Sequence, residues 1–229
     1  MSQSSNKSIT SIHQSPIFYA LVRTFFRILL MIYNRCAARW LEKLNPDERM
    51  IVACNHCSNL DPLVVGCFFP RRMRYFAKEE LFQSWFLGTS IRALGAVPVS
   101  RTSSASAAGA LKGFMKLYQE GNDVLIFPEG GRSLDGKLQP LEAGVALVAA
   151  HERAPILPAF IHGSFKAMPP GAHFVRPSKI SVTFGKPIRF PDEVYKSREG
   201  REIIMEKLTE AMRALESGTS DAGLNAASE

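Results

Sequence analysis

Residues 123–127, DVLIF, are apolar almost throughout and end directly on PEGGRS (128–133). A run this short, bounded by polar and turn-forming residues, reads as a buried strand. The pattern recurs along the chain. MIVAC (50–54), RYFA (74–77), AVPVS (96–100), APILPAFI (154–161) and KISVTFG (179–185) all read as strands, with Pro98 placing the third of these at an edge or a bulge. Helical stretches separate them. Pro62 to Phe69 is one, with Asp61 as its expected N-cap and Pro62 at its first position. Ala105 to Tyr118 is a second, stopped by Gly121; Leu141 to His151 is a third, and Arg198 to Leu215 a fourth. Strands alternating with helices constrain the chain to an α/β fold. The expected form is a single layered domain, a central mixed sheet flanked by helices, with no repeat or linker that would split it.

The chain of 229 residues is long enough to bury a substantial core, and its 21% of charged residues is ordinary. Its net charge of +7 is not ordinary, and suits nucleic acid, anionic lipid headgroups or phosphorylated substrates. Nucleic acid is the weakest of these, because the cations are scattered and no aromatic-basic motif or recognition helix is present. Cys54 and Cys57 form a C-x-x-C, but nothing completes a zinc set with them. Buried, reduced thiols and no metal are expected for the four cysteines.

Residues 1–15 are polar and Ser-rich, as are 217–229, and both are expected to be disordered tails. Between the first tail and Pro46 lies SPIFYALVRTFFRILLMIYNRCAARW (15–40). Without a small-residue cleavage site it does not read as a signal peptide. Arg23 and Arg27 interrupt it too early for a clean spanning helix. On a helical wheel Arg23, Arg27 and Asn34 share one stripe, while Phe18, Leu21, Phe25, Ile28, Leu29 and Ile32 cover the other side. The segment 16–45 is therefore expected to be an amphipathic membrane-surface helix whose arginines meet anionic headgroups. A helix packed on the core is the plainer alternative. Residues 46–216 would form the domain proper.

Two clusters carry candidate chemistry, each at the end of an apolar run. In NHCSNLD (55–61), His56 is suited to accept a proton near neutral pH, and Asp61 to fix its tautomer. Asp61 as a helix cap and His56 as a satisfied backbone partner would leave the same trace. No Ser or Cys sits in a nucleophile elbow, so a basic His56 would act on a hydroxyl of the substrate. In FPEGGRS (127–133) the glycines permit a sharp turn, and Glu129 and Arg132 offer an acceptor and a phosphate donor. Arg101 ends another apolar run, VPVSR (97–101), placed so that it could converge with Arg132 on one phosphate beyond the strand ends.

Taken in order, these stretches resemble the glycerolipid acyltransferases, the lysophosphatidic acid acyltransferase group. NHCSNLDP resembles their first motif (N-H-x-S-x-x-D), LGAVPVSR their second, FPEGGRS their third (F-P-E-G-T-R-S) and APILPAF their fourth, over about residues 40–190. RYFAKEEL resembles the stretch after their second strand. The resemblance implies an O-acyltransferase of phospholipid biosynthesis. His56 would be the general base that deprotonates a lysophospholipid hydroxyl, and Asp61 would hold His56 in register. The oxygen would attack the thioester of acyl-CoA or acyl carrier protein, with no cofactor and no acyl-enzyme. Arg101, Glu129, Gly130 and Arg132 would bind the glycerol phosphate, with Lys78 adding charge nearby.

The resemblance further implies 1-acylglycerol 3-phosphate as acceptor, phosphatidic acid as product, and a monotopic or peripheral position on the cytoplasmic face of a membrane, the bacterial inner membrane. Ser100 stands where the second motif usually has an acid, and Gly131 where the third has Thr. Both departures touch the acceptor pocket, so glycerol 3-phosphate or another lysolipid is the alternative acceptor. A catalytically silent lipid-binding module is the alternative class, disfavoured by the presence of both His56 and Asp61.

Overall fold

A computed structural model describes residues 16–83, 85–99 and 107–218. The expected tail at 1–15 lies outside the described residues, as do Ser100, Arg101 and all of the expected 217–229 tail except Ser217, which ends the last helix, and Gly218, which caps it. Seven strands form one sheet: β1 (Ala37–Trp40), β2 (Ile51–Cys54), β3 (Met73–Lys78), β4 (Ala96–Val99), β5 (Asp123–Ile126), β6 (Ile156–His162) and β7 (Ser181–Phe184). Their order is β1-β7-β6-β2-β5-β3-β4. All neighbours are parallel except β6 and β7, so the sheet is mixed. β4 is an edge, where Pro98 lacks the donor an interior strand would need.

Side chains along β2 explain why the apolar runs do not alternate with polar residues. Val52 and Cys54 enter a core on one face of the sheet, and Ile51 and Ala53 a core on the other. The first core is closed by α1 (Pro16–Tyr33) and α2 (Asp61–Phe68), with α3 (Trp85–Ala93) beside α1. The second is closed by α4 (Ala107–Gln119), α5 (Gly144–Glu152) and α8 (Glu199–Ser217). Two short helices, α6 (Ser164–Ala167) and α7 (Asp192–Lys196), complete the set. A parallel strand covered on both faces has no solvent side on which to place polar residues. Gly121, at φ +82°, ends α4 as expected.

Two expectations are corrected. The first helix ends at Tyr33, and Ala37–Trp40, expected to continue the membrane segment, pair with β7 as the other edge of the sheet. Its turn carries Arg35 at φ +46°, with the Cys36 N–H donating back to Leu30 O. Moreover, the arginine stripe of α1 points inward. The Arg23 guanidinium donates to Cys67 O at 3.1 Å and Phe69 O at 2.6 Å, capping carbonyls at the end of α2. Arg27 lies over the Phe68 ring, and Asn34 is buried. The apolar stripe faces out instead, with Ile17 72%, Leu21 64%, Phe25 55% and Ile32 76% exposed.

At the opposite end of the sheet from the candidate motifs, the Arg71 guanidinium donates to both carboxylate oxygens of Asp123 and to the carbonyls of Asn45, Pro46 and Glu48. Asp123 is 1% exposed and also accepts from Met50 N. Arg71→Ala should destabilise the fold by about 3 kcal/mol, the low end for breaking a buried ion pair. Arg49 remains 3.8 Å from the carboxylate and moderates the loss. Denaturant unfolding of both proteins measures the difference.

Candidate active site

The sheet's topology makes a crevice where the two motifs lie. From β2 the chain leaves through α2 on one face; from its neighbour β5 it leaves toward α5 on the other face. Adjacent parallel strands whose connections diverge leave a gap beyond their carboxyl ends, the usual ligand position in open α/β sheets. His56 follows β2 by two residues, and PEGGRS follows β5.

Asp61 organises this gap. It is fully buried, and its Oδ2 accepts from Cys57 N at 2.7 Å, Ser58 N at 2.7 Å and the His56 ring at Nδ1, 2.9 Å away. An ionised carboxylate only accepts, so Nδ1 carries the proton and Nε2 keeps its lone pair. The ring is further fixed by stacking on Phe127, with centroids 4.1 Å apart and planes 20° from parallel. It keeps 18% of its side-chain surface open. Asp61 is not the expected N-cap: it is the first residue of α2, behind Leu60, and its carboxylate turns back toward the loop.

The loop's backbone is tied from three sides. Asn55 donates to Ile161 O at 3.1 Å and accepts from Ile161 N at 2.7 Å, extending the β2–β6 ladder with a side-chain amide. Glu129 accepts from His56 N at 2.6 Å and from Gln139 N. Ser133 N donates to His56 O at 2.7 Å. Burial raises the Glu129 carboxyl above the ordinary range, against the lowering effect of those two N–H donors. Ser58 accepts from Leu60 N and donates to Met168 O.

Of the expected site residues, the structure brings His56, Asp61, Glu129 and Gly130 together around this loop. Glu129 spends both oxygens on backbone donors and so positions His56 rather than standing free for a ligand. Arg132 lies on the rim, half-buried beside Ser133, with no hydrogen-bond or ion-pair partner among the described residues. Lys78 is exposed at the carboxyl end of β3, one strand further out on the same edge, and Arg101 lies just past the described end of β4. Asn55, Phe127 and Gln139 were not singled out by sequence reasoning. The first two stand inside the motifs, but only the fold shows what they touch.

Neither nearby thiol suits nucleophilic work. Cys57 is 3% exposed, and burial, then the Asp61 charge, pushes its thiol up to about 11. Cys54 is fully buried and its thiol is pushed up for the same reasons. Among the described residues no group of three or more His, Cys, Asp or Glu is placed to hold a metal.

A partly exposed imidazole oriented by a buried carboxylate in a switch-point crevice, with no activated nucleophile beside it among the described residues, is suited to take a proton from a bound group. The family model "Acyltransferase" matches residues 35–162, and the chain belongs to that family. It is 29% identical over 187 residues to the 1-acyl-sn-glycerol-3-phosphate acyltransferase of Bacillus subtilis, covering 81% of this chain and 87% of that one. To the chloroplastic enzyme BAT2 of Brassica napus it is 31% identical, over 77% of this chain and 52% of the relative, so it spans about half of that longer protein. The crystal structure of the 1-acyl-sn-glycerophosphate (LPA) acyltransferase PlsC from Thermotoga maritima shares the fold, with a TM-score of 0.70 and 23% identity over 88% of this chain and 79% of that one. This protein is an O-acyltransferase by family.

The two motif glycines differ physically. Gly130 has φ +68°, and a Cβ there would strike the Glu142 carboxylate; a Cβ on Gly131 would meet nothing within 4 Å. Gly130→Ala should cost about 1–2 kcal/mol for the left-handed backbone alone and reduce activity with it. Gly131→Ala should stay within about 0.5 kcal/mol of the parent. Thermal melts of the two variants, run with turnover assays, check the contrast.

Proposed function

We propose that the protein transfers a fatty acyl group from an acyl thioester to the sn-2 hydroxyl of 1-acylglycerol 3-phosphate, forming phosphatidic acid. The observation that carries this reading is the 2.9 Å bond from His56 Nδ1 to Asp61 Oδ2 at the mouth of the crevice. It leaves Nε2 as the one ring nitrogen able to accept a proton. Supporting it are Arg132 on the rim, without a partner among the described residues, and relatives named for this reaction.

In the proposed step His56 Nε2 takes the proton of the acceptor hydroxyl as that oxygen attacks the thioester carbonyl. Asp61 stays ionised and stabilises the imidazolium. The tetrahedral intermediate then collapses to the new ester and expels a thiolate, to which the imidazolium returns the proton. Coenzyme A or acyl carrier protein is the leaving thiol, and no cofactor takes part. Arg132, Arg101 and Lys78 supply cations for the acceptor's phosphomonoester, Arg132 from the rim and Lys78 from the end of β3.

The outward apolar face of α1 supports a position on the cytoplasmic membrane surface. By length and composition α1 is apolar enough to cross a bilayer. Its Arg23 bonds to the end of α2, however, and its packing on α2 and α3 holds it along the domain. A helix held that way lies at the interface rather than across it.

His56→Ala should lower kcat by roughly 10²–10⁴-fold without loss of fold, since the ring is partly exposed and no other base stands in its place. Near-normal turnover with a normal melting curve would refute the assignment. For the acceptor site, Arg101→Ala and Arg132→Ala should raise the KM for lysophosphatidic acid far more than for the thioester. Lysophosphatidylcholine, which lacks the phosphomonoester, should be a poor substrate of the parent. Equal rates on the two lysolipids would favour a broader acceptor range.

A further inference from the structure

Beyond α1, a further stretch exposes a large apolar side chain, Phe174, beside a group of cations. It is the segment between α6 and β7, residues 168–180, MPPGAHFVRPSKI. Phe174 is 83% exposed, while the next residue, Val175, packs against the core that α1 and α2 close. A lone exposed phenylalanine needs no explanation. This one is not isolated, because the segment is tied to the last turn of α1. Tyr33 donates its hydroxyl to Val175 O at 3.0 Å, and Asn34 donates its amide to Arg176 O and Ser178 O. Phe174 therefore continues the apolar surface of α1 past its end, where Ile32 and Tyr33 are also exposed.

The cations there are Arg35, Arg176 and Lys179, all exposed, and none has an ion-pair partner among the described residues. Arg35 occupies a left-handed backbone position that favours glycine at a helix end. The same segment also reaches the active site. Ser58, in the His56 loop, donates to Met168 O at 2.8 Å, and Cys57 Sγ lies 3.3 Å from Ser164 Oγ. One stretch of chain thus runs from the catalytic loop to the end of the surface helix.

We propose that residues 168–180 form a second membrane-contact element, in which Phe174 enters the interface and Arg35, Arg176 and Lys179 bind anionic headgroups. The occupant is an anionic bilayer surface, argued from charge complementarity and from continuity with the exposed face of α1. An aromatic ring flanked by cations at the end of an apolar helix is the composition that such a surface attracts. Through Ser58 and Met168 this element seats the His56 crevice next to the headgroups. The proposal rests on α1 lying at a membrane surface, and its test separates the two.

The full-length protein would carry one introduced cysteine, Phe174→Cys or Ile28→Cys, labelled with an environment-sensitive thiol dye. The four native thiols are buried, with Cys36 and Cys67 pushed up to about 12 and Cys57 to about 11, so they stay unlabelled. Vesicles of phosphatidylcholine, with and without phosphatidylglycerol, would then be titrated in. Both labels should shift to the blue with the anionic vesicles. The combined variant Arg35→Gln, Arg176→Gln, Lys179→Gln should bind them more weakly by on the order of 100-fold, about fivefold per cation. A shift at position 28 without one at 174 would overturn the proposal and leave α1 as the sole contact. No shift at either position would overturn the membrane reading as well. Equal binding by the triple variant and the parent would remove the headgroup role.

Discussion

Asp61 Oδ2 is a single buried oxygen that accepts three hydrogen bonds, two from the backbone of its own loop and one from the His56 ring. The loop cannot take this path without the carboxylate, and the ring is not oriented without the loop. Both depend on where β2 ends. Asn55 continues the strand ladder through its side chain, so His56 emerges at a fixed height above the sheet. Glu129 and Ser133 then hold the His56 N–H and C=O from the neighbouring strand's loop. The base is pre-positioned before substrate arrives, which is the condition for a general base to work at full effect.

The sheet supplies the second constraint. β2 and β5 are central and covered on both faces, so their ends cannot drift, and their diverging connections open the crevice between them. On the outside of one layer, α1 is held by Arg23 spanning to the carbonyls that end α2. That contact decides which face of α1 meets the surroundings. With the arginines spent on the domain, the aromatic and aliphatic stripe is left outermost, and the cations near it come from the turn after α1 and from the segment before β7.

Much of this was legible in the residues. Six of the seven strands announced themselves as apolar runs starting or ending at polar clusters, most plainly the central ones, because a doubly covered parallel strand has no polar face. Residue chemistry and spacing offered the pairing of His56 with Asp61 beside a plain helix cap, and the family resemblance chose between them. β1 was hidden because AARW (37–40) has no apolar run; it is an edge strand with half its side chains in water. α3 was hidden because it is only nine residues long and Gly88, Thr89 and Ser90 interrupt its apolar positions. The apolar stripe of α1 faces out, as an interfacial helix needs, but the role of its arginines was misread for a definite reason. A helical wheel shows two faces, but not that carbonyls at the end of another helix will claim the arginines. Glu129 misled in the same way: its carboxylate looked free for a ligand, and its partners, two backbone N–H groups, carry no sequence signature.

The central claim is that Asp61 holds His56 in the Nδ1–H form, with Nε2 free to take a proton. The most direct measurement is long-range ¹H–¹⁵N NMR of the imidazole nitrogens, with the His56 signals assigned by their loss in His56→Ala. At a pH where the ring is neutral, the account predicts a protonated Nδ1 and a bare Nε2, and an altered pattern in Asp61→Asn. A His56 ring protonated at Nε2 in the parent protein would contradict it.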